Sequence, residues 1–329
     1  MRLLCPAKIN LHLRVGPVRE DGFHPLLSWF CTTGLFDTLI LERLEPPQIP
    51  DVGPCAGALA DAQAERPLQA EGSRVSLTCD AADLPRDRRN LIVKVAEAFA
   101  QEARDVPRTS VGPVRAHLQK RIPAGAGLGG GSSDGAAALL GLNALWNIRW
   151  AADHLSGFAA RFGSDLPFFF FGPSSVCRGR GEIVRPIARP RPRWALLILP
   201  PIAMPTALVY RQFDVMSLGR EPDVQIEPDW NAWATLDAQT LLTQLVNDLE
   251  SPAFAISPDL ARLRQAVEQT VGRPVRMSGS GSSLFTLFDE EADARRASQA
   301  VEQKHGLRVE AVELAPVFNE SLNACAAGR

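Results

Sequence analysis

A glycine-rich segment in the middle of the chain carries the strongest chemical signal. Residues 122–134 read Ile-Pro-Ala-Gly-Ala-Gly-Leu-Gly-Gly-Gly-Ser-Ser-Asp, with five glycines in seven residues. A backbone without Cβ atoms turns tightly and approaches a ligand closely. A helical pattern follows from about Ser133 to Trp146, and Ser132 or Ser133 is predicted to cap it, with Asp134 in its first turn. Free N–H groups at a helix N-terminus attract anions, so the segment predicts a phosphate-binding loop.

Other interpretations of this loop are weaker. Residues 125, 127 and 130 match the Gly-x-Gly-x-x-Gly pattern of dinucleotide-binding folds, but Lys120 and Pro123 interrupt the buried strand that must precede it. A Walker A motif is excluded because no Gly-Lys-Ser/Thr ends the loop. A mere flexible surface loop is hard to reconcile with so many glycines set against an apolar helix. Phosphate binding is therefore the favoured interpretation.

Residues 6–13, Pro-Ala-Lys-Ile-Asn-Leu-His-Leu, have the pattern of a strand. In a strand, Lys8, Asn10 and His12 share one face, opposite apolar side chains. A lysine beside an asparagine can hold an anionic or hydroxyl-bearing group. For this segment taken alone, an edge strand with a solvated polar face is the simpler interpretation.

Three further segments place polar residues at turns. Asp165 lies between a Gly-Ser turn and an apolar run, where a carboxylate is either a turn former or a positioned base. A Gly/Ser turn at 278–283 lies between two predicted strands. A third turn, from Asp21 to His24, carries the exposed aromatic Phe23. Each of these segments is weak evidence by itself.

Hydrophobic periodicity predicts the elements that must position these residues. Strands are predicted at residues 2–15, 34–43, 74–79, 114–119, 166–171, 194–199, 274–277, 284–288 and 307–313. Helices are predicted at residues 90–103, 133–146, 151–162, 258–271 and 290–304. Residues 45–73 and 217–235 have no sustained period, and the first of these is predicted to be a surface loop or insertion. The alternation of helices and strands in the second half favours an α+β sandwich.

A stretch rich in proline and arginine, at 186–193, is typical of a stiff connector. The chain of 329 residues is long enough for two ordinary domains, each with its own core. We therefore expect one domain at residues 1–187 and a second at residues 188–329.

Composition limits the classes of function. A formal net charge of -2 gives no support to a nucleic-acid or anionic-membrane partner. No apolar run approaches the roughly eighteen residues of a membrane span, and the first residues pass directly into a strand, so we expect a cytoplasmic protein. Six scattered cysteines and five dispersed histidines predict idle thiols and no structural metal. Only four of the 35 Lys and Arg residues are lysines. An ammonium is more compact than a guanidinium, so a tight cleft is a reason to keep a lysine at some of these positions.

Together, the polar segments resemble the GHMP small-molecule kinases. The resemblance rests on Pro-Ala-Lys-Ile-Asn-Leu at 6–11, Asp-Gly-Phe-His at 21–24, Asn-Leu-Ile-Val at 90–93, Gly-Leu-Gly-Gly-Gly-Ser-Ser-Asp at 127–134, Gly-Ser-Asp-Leu-Pro-Phe-Phe at 163–169 and Arg-Met-Ser-Gly-Ser-Gly at 276–281. These segments occur in the family's order and cover both halves of the chain. Residues 45–73 and roughly 215–235 are longer than the family needs, and Phe23 stands where the family usually has tyrosine.

The resemblance implies a two-domain α+β fold, with an N-terminal ribosomal-protein-S5-like α/β domain and a C-terminal ferredoxin-like α+β domain. ATP is then the co-substrate, together with Mg²⁺, and it meets the acceptor in the cleft between the domains. The ligands of Mg²⁺ stay open, with Ser133 as one candidate. The residues implied in ATP binding are Asn90, Lys120, Pro123, Gly125, Gly127, Leu128, Gly129, Gly130, Gly131, Ser132 and Ser133.

The resemblance also implies roles in phosphoryl transfer, which depends on positioning and charge neutralisation. Asp165 would take the proton from the acceptor hydroxyl. Lys8 would stand beside it and stabilise charge in the transition state. Asn10 would orient the acceptor.

The narrower match is to a branch of the family that serves the non-mevalonate route to isoprenoids and whose acceptor carries a cytidyl diphosphate group. This match implies that Phe23 and Tyr210 clamp the base and that His24 hydrogen-bonds to it. It also implies that Ser278 and Gly279 contact the acceptor. Tyr210 is the only tyrosine in the chain.

Three alternatives stay open. Another GHMP kinase, acting on mevalonate, homoserine or a sugar, is disfavoured by Phe23, His24 and Tyr210. A catalytically silent GHMP-fold binding protein is disfavoured by the presence of both Lys8 and Asp165. A nicotinamide-dependent oxidoreductase is disfavoured by the sequence around the glycine loop. The expected partners are ATP and a small acceptor, with no nucleic acid or membrane, and the expected state is a monomer or weak homodimer.

Overall fold

The computed structural model describes residues 1–44, 74–107 and 109–317, so the predicted insertion at 45–73 lies outside the described residues. Strand β2 forms the centre of the first sheet, and the long strand β1 pairs with it antiparallel. One half of β2 also pairs with β4, which is parallel to β3, and the other half pairs with β5, which is followed by β6. The strands are β1 (Arg2–Val15), β2 (Leu26–Arg43), β3 (Val75–Cys79), β4 (Val114–Gln119), β5 (Ser174–Gly179) and β6 (Ile183–Pro186).

Helices α1 (Leu91–Glu102) and α2 (Gly130–Leu145) pack on this sheet, and α3 (Ala152–Ala159) packs against α2. Their apolar faces and the facing strand residues form one continuous core. Within it, the rings of Phe99 and Trp146 stack with their centroids 6.0 Å apart. This core fixes α2, and with it the glycine loop that leads into α2.

The second sheet has four antiparallel strands in the order β10-β7-β9-β8. They are β7 (Trp194–Leu199), β8 (Arg276–Met277), β9 (Leu284–Phe288) and β10 (Arg308–Glu313). The helices of this half are α4 (Thr206–Val215), α5 (Glu221–Gln225), α6 (Trp230–Ala234), α7 (Ala238–Gln244), α8 (Glu250–Ile256), α9 (Pro258–Val271) and α10 (Glu291–His305). The expected boundary after residue 187 falls between β6 and β7, and it stays a prediction.

The two halves share apolar cores. Ile9 of β1 and Leu128 of the glycine loop lie in the same buried cluster as Leu197 and Phe285 of the second sheet. Further along β1, Leu13 packs in a cluster with side chains of α4 and the second sheet. Strand β1 therefore carries its polar residues into the junction between the halves. The interpretation of a solvated polar face is wrong, because Lys8, Asn10 and His12 are buried, although within the described residues β1 pairs with only one strand of the sheet.

Several predicted elements are confirmed, among them the strands 2–15, 114–119, 194–199 and 284–288 and the helix 258–271. The strand predicted at 166–171 is wrong, because Pro167–Phe170 is a 3₁₀ turn. Pro167 lacks the N–H that a central strand must donate, and the apolar run is buried by ring contacts such as Phe168 on Phe30, at 5.3 Å. Helices α4 to α8 and strands β5 and β6 were not predicted.

Candidate active site

A cavity of about 890 Å³ opens between β1, the glycine loop, α4 and the Gly/Ser turn that follows β8. It gathers most of the predicted site residues, although they are scattered along the whole chain. Those on its wall are Lys8, Asn10, Phe23, His24, Pro123, Gly125, Gly127, Leu128, Gly129, Gly130, Gly131, Ser132, Asp165, Tyr210 and Gly279.

The glycine loop adopts backbone angles that favour glycine. The angle φ is +69° at Gly125, +78° at Gly127 and +66° at Gly129, and helix α2 begins at the next residue, Gly130. Ser132 and Ser133 therefore lie inside the helix, and the predicted serine cap is wrong. Because left-handed Gly129 turns the chain into the helix without a capping side chain, the first N–H groups of α2 remain open to an anion in the cavity.

A second turn, Ser278–Gly281, braces the glycine loop. The hydroxyl of Ser278 donates to the carbonyl of Gly127 at 3.0 Å and accepts from the backbone N–H of Asn10 at 3.2 Å. A Cβ on Gly127 would lie only 2.3 Å from the carbonyl oxygen of Ser278. Ser278 is fully buried, so it joins β1 to the loop from behind the wall, and only Gly279 of this predicted pair lines the cavity.

Lys8 and Asp165 form an ion pair in the cavity. Nζ of Lys8 lies 3.1 Å from Oδ2 of Asp165 and 2.7 Å from Oδ1 of Asn10. Nζ also lies 4.4 Å from the centroid of the Phe30 ring. The side chain of Lys8 is 5% exposed and that of Asp165 is 32% exposed. A buried, fixed ammonium thus stands beside an accessible carboxylate, which can accept a proton from a bound hydroxyl.

The predicted common face of Lys8, Asn10 and His12 is wrong for His12. The pairing of β1 with β2 shifts register between Asn10 and His12, and such a bulge breaks the alternation of side chains. His12 instead packs edge-on against Trp233, with ring centroids 5.3 Å apart. Burial, reinforced by the charge of Arg14, lowers the pKa of His12 to about 3, so this ring is a neutral part of the core.

Lys120 lies beneath the glycine loop and not on the cavity wall. Its ammonium is paired with the buried carboxylates of Asp37 and Asp134, the latter at 2.8 Å. Burial opposes the charge of Lys120, but the two carboxylates outweigh it and raise the pKa of Lys120. Burial, with the neighbouring charge of Asp37, raises the pKa of Asp134 to about 7. Asp134 is therefore part of this cluster and not a first-turn partner of the helix dipole.

Two other predicted nucleotide ligands lie away from the wall. Asn90 caps α1, since its side chain accepts from the N–H of Ile92 at 3.0 Å and donates to the carbonyl of Pro85 at 2.9 Å. The buried hydroxyl of Ser133 lines a separate small cavity, together with Thr32. The structure thus brings Ser132, but not Ser133, to the site.

The far end of the cavity is aromatic. Phe23 is half exposed, and the guanidinium of Arg180 lies 4.9 Å from the centroid of its ring. The ring of Tyr210 lies beside that of His24, with centroids 5.2 Å apart. Burial, together with the charge of Asp165, raises the pKa of Tyr210 above its usual range, so the phenol stays protonated. Flat, partly accessible rings of this kind suit a stacked base.

Several residues of the site carried no prediction. Arg180, Arg211 and Asp214 reach the wall only through tertiary packing, and their local sequence has no distinctive pattern. Asn247 donates to the carbonyls of Met277 and Gly279, each at 2.8 Å, and so holds the second turn. The sequence did contain a signal for Asp37, because a lone carboxylate in an apolar strand predicts a buried ion pair.

Within residues 1–44, 74–107 and 109–317, no group of three or more His, Cys, Asp or Glu side chains is placed to hold a metal ion. No helix in the described part is long and apolar enough to cross a membrane. The cysteines described there, at positions 5, 31, 79 and 177, are buried free thiols.

The site and the fold define a class of protein. Residues 90–173 match the N-terminal domain model of the GHMP kinases, and residues 226–306 match their C-terminal model. The chain belongs to the GHMP kinase family. Its two-domain architecture of mixed helices and sheets is the fold of that family.

Individual relatives narrow the comparison. The chain is 36% identical over 301 residues to a 4-diphosphocytidyl-2-C-methyl-D-erythritol kinase of Thermus thermophilus, covering 92% of each chain. It is 32% identical over 297 residues to the kinase of the same name from Brevibacillus brevis, covering 90% of each. A crystal structure of 4-(cytidine 5'-diphospho)-2C-methyl-D-erythritol kinase superimposes with a TM-score of 0.71 at 34% identity, covering 96% of this chain and all of the other.

Proposed function

We propose that the protein is an ATP-dependent kinase that phosphorylates the C2 hydroxyl of 4-diphosphocytidyl-2-C-methyl-D-erythritol, in the non-mevalonate route to isoprenoid precursors. The observation that carries the proposal is the cavity itself. It joins a helix N-terminus suited to phosphates, a Lys8–Asp165 ion pair and an aromatic end suited to a base. The relatives that share the chain's length carry the name of this activity.

In the proposed mechanism, Asp165 accepts the proton of the acceptor hydroxyl as the oxygen attacks the γ-phosphorus of ATP. Its exposure allows a substrate to reach it, and its distance to Lys8 keeps a positive charge within 3.1 Å. Lys8 cannot move far, because Asn10 accepts from it and Gly129 leaves just enough space for its stem: a Cβ there would lie 2.8 Å from Cγ. Lys8 therefore stabilises charge in the transition state without reorganisation.

The nucleotide phosphates are proposed to lie over the glycine loop, against the N–H groups of Gly130, Gly131 and Ser132. Mg²⁺ usually keeps several waters and binds through one or two protein oxygens plus substrate phosphates. The side chains of Ser132 and Asp165 place oxygen atoms that could be metal ligands on the cavity wall. The residues present therefore fit a Mg²⁺ ion that arrives with ATP and neutralises phosphate charge. Lys120 is proposed to act from below, as a support of the loop.

The acceptor is proposed to extend from Asp165 towards the aromatic end, with its base at Phe23 and Tyr210. Arg180 and Arg211 line the same end of the cavity and supply positive charge for the diphosphate. The proposed state is a monomer or weak homodimer in the cytoplasm, with ATP and this acceptor as its substrates.

The test is an ADP-release assay with ATP, Mg²⁺ and four acceptors: the cytidyl substrate, mevalonate, homoserine and galactose. We expect turnover with the cytidyl substrate at a kcat/KM at least a hundredfold above the others. Asp165→Asn is the matched control, because it keeps the side-chain shape and removes the proton acceptor. Preferred turnover of another acceptor contradicts the proposed substrate, while turnover of none contradicts a kinase activity in this panel.

A further inference from the structure

Three groups surround the ammonium of Lys8, and one of them is an aromatic ring. Oδ1 of Asn10 lies 2.7 Å from Nζ, and Oδ2 of Asp165 lies 3.1 Å from it. The third neighbour is the face of Phe30, whose centroid lies 4.4 Å from Nζ. A cation within about 6 Å of a ring centroid is attracted by the negative face of the ring. The three N–H groups of the ammonium thus have two oxygen acceptors and one ring around them.

Strand pairing places Phe30 at this position. Asn10 of β1 lies directly opposite Phe30 of β2, and Lys8 lies opposite Thr32. Lys8 and Phe30 are therefore diagonal neighbours on one face of the sheet, within reach of a long and an aromatic side chain. The ring of Phe30 is 1% exposed and packs against Phe168, with centroids 5.3 Å apart. The packing holds the ring of Phe30 against the ammonium.

We propose that Phe30 holds the ammonium of Lys8 by a cation–π interaction and is thereby a positioning residue for phosphoryl transfer. The proposal rests on the proposed function, since it takes Lys8 as the group that stabilises charge in the transition state. Phe30 takes no proton and carries no charge. It acts through Lys8, by keeping the ammonium where the phosphoryl group passes.

A ring suits this position better than a second carboxylate. A carboxylate would also attract Lys8, but its negative charge would repel the phosphates, and it would compete with Asp165 for the proton. The cluster around Lys120 has two carboxylates for one ammonium, and it lies beneath the glycine loop and off the cavity wall. The face of Phe30 supplies attraction without a titratable group or a net charge.

The contact with the ring gains weight as the reaction proceeds. Once Asp165 has accepted the proton of the hydroxyl it is neutral, and its attraction for Lys8 falls to that of a weaker hydrogen bond. The oxygen of Asn10 and the ring of Phe30 then keep the ammonium beside the transferring phosphoryl group. Weakening the ring's attraction should therefore lower kcat more than it raises either KM.

The experiment replaces Phe30 in the full-length protein by phenylalanines that carry one, two or three fluorine atoms on the ring. Fluorine withdraws electron density from the face of the ring and weakens its attraction for a cation, while the shape of the ring changes little. With ATP and the cytidyl substrate, kcat should fall about two- to threefold with each added fluorine. Both KM values should stay within about twofold of the wild type.

The same fluorinated series at Phe168 is the matched control. Phe168 is fully buried in the same apolar cluster as Phe30, so it reports what fluorine does to the packing there. Its series should leave kcat within about twofold of the wild type. An equal fall of kcat in both series would show that packing, and not attraction for Lys8, is responsible, and this would overturn the proposal. A constant kcat along the Phe30 series would overturn it as well.

Urea unfolding keeps this proposal distinct from the proposed function. Each fluorine at Phe30 should lower the free energy of unfolding in the wild-type background. The trend should vanish in Lys8→Met, which keeps an unbranched side chain and removes the charge. An equal trend in both backgrounds would overturn the contact between ring and ammonium. A trend that depends on the charge of Lys8, without turnover of any acceptor, contradicts the proposed function and supports the contact. Turnover of the cytidyl substrate at a constant kcat along the Phe30 series contradicts the role of Phe30 alone.

Discussion

Gly127 and Gly125 allow a direct measurement of how tightly the two glycine turns are joined. Both have φ in the left-handed region, +78° and +69°, so an alanine at either position carries the same backbone penalty of about 1–2 kcal/mol. They differ in their surroundings. A Cβ on Gly125 meets nothing within 4 Å, whereas one on Gly127 lies 2.3 Å from the carbonyl of Ser278 and 3.0 Å from that of Gly281.

The additional cost in Gly127→Ala follows from the bonds that must open. Relieving the overlap separates the turns and breaks the bonds from Ser278 Oγ to Gly127 O and from Ser283 N to Ala126 O, 3.0 and 3.2 Å long. At about 0.5–1.5 kcal/mol each, their loss adds about 1–3 kcal/mol. We therefore expect Gly125→Ala to lower the free energy of unfolding by about 1–2 kcal/mol and Gly127→Ala by about 2–5 kcal/mol.

The assay is urea unfolding without nucleotide, so that contacts of Gly125 with phosphate do not enter. Equal losses for the two variants, within about 0.5 kcal/mol, would refute the idea that the second turn braces the first.

Four further predictions test the site. Asp165→Asn should lower kcat by about 10²–10⁴-fold while ATP still binds in calorimetry, and near-normal turnover would exclude Asp165 as the base. Lys8→Arg should be similarly impaired, because a planar guanidinium does not fit the place of a compact ammonium; full activity would contradict a tight site. Phe23→Ala and Tyr210→Ala should each raise the KM of the cytidyl substrate, because each removes a stacking free energy of about 1–3 kcal/mol, and should leave the KM of ATP unchanged. Tyr210→Phe should change the KM of the cytidyl substrate only slightly. An equal rise of both KM values would argue for a packing role. Because burial raises the pKa of Asp134 from 3.8 to about 7, protonated Asp134 contributes stability that is fully present below pH 3.8 and is lost as the pH rises through about 7. The free energy of unfolding in urea should therefore fall between about pH 4.5 and 8 in the wild type, and Asp134→Asn should remove this pH dependence. An unchanged pH dependence in the variant would contradict the role of Asp134.

Strong periodicity made much of the fold predictable. Strand β1 and helix α9 were predicted with their observed bounds because apolar residues recur along each segment at the spacing of its secondary structure. The prediction was wrong at 166–171, where a run of phenylalanines is equally compatible with a strand and with a buried 3₁₀ turn. Periodicity measures burial, and it distinguishes these two structures only when the segment is long.

Which residues lie together in the cavity was predictable where local chemistry is distinctive, while their roles stay predictions. Glycines at the loop and the Lys8 and Asp165 positions come together in the cavity as expected. The side chains of Lys120 and Ser133 do not reach the wall, because neighbouring residues distant in sequence decide where they point. Lys120 faces Asp37 of β2, and no local pattern around Lys120 records that partner.

Asp37 and Asp134 explain why the loop rests on a lysine and not on one of the far more numerous arginines. Lys120 places one ammonium between two buried carboxylates, and a Cβ on Gly130 would lie 3.0 Å from that nitrogen, directly under the first turn of α2. A planar guanidinium is wider than this space and directs its donors in a fixed fork. The same argument applies to Lys8, whose stem fills the space that Gly129 leaves. Both lysines near the cavity are thus compact charges packed against glycines of one loop, so the glycines make room for the cations as well as for the phosphates proposed to lie over the loop.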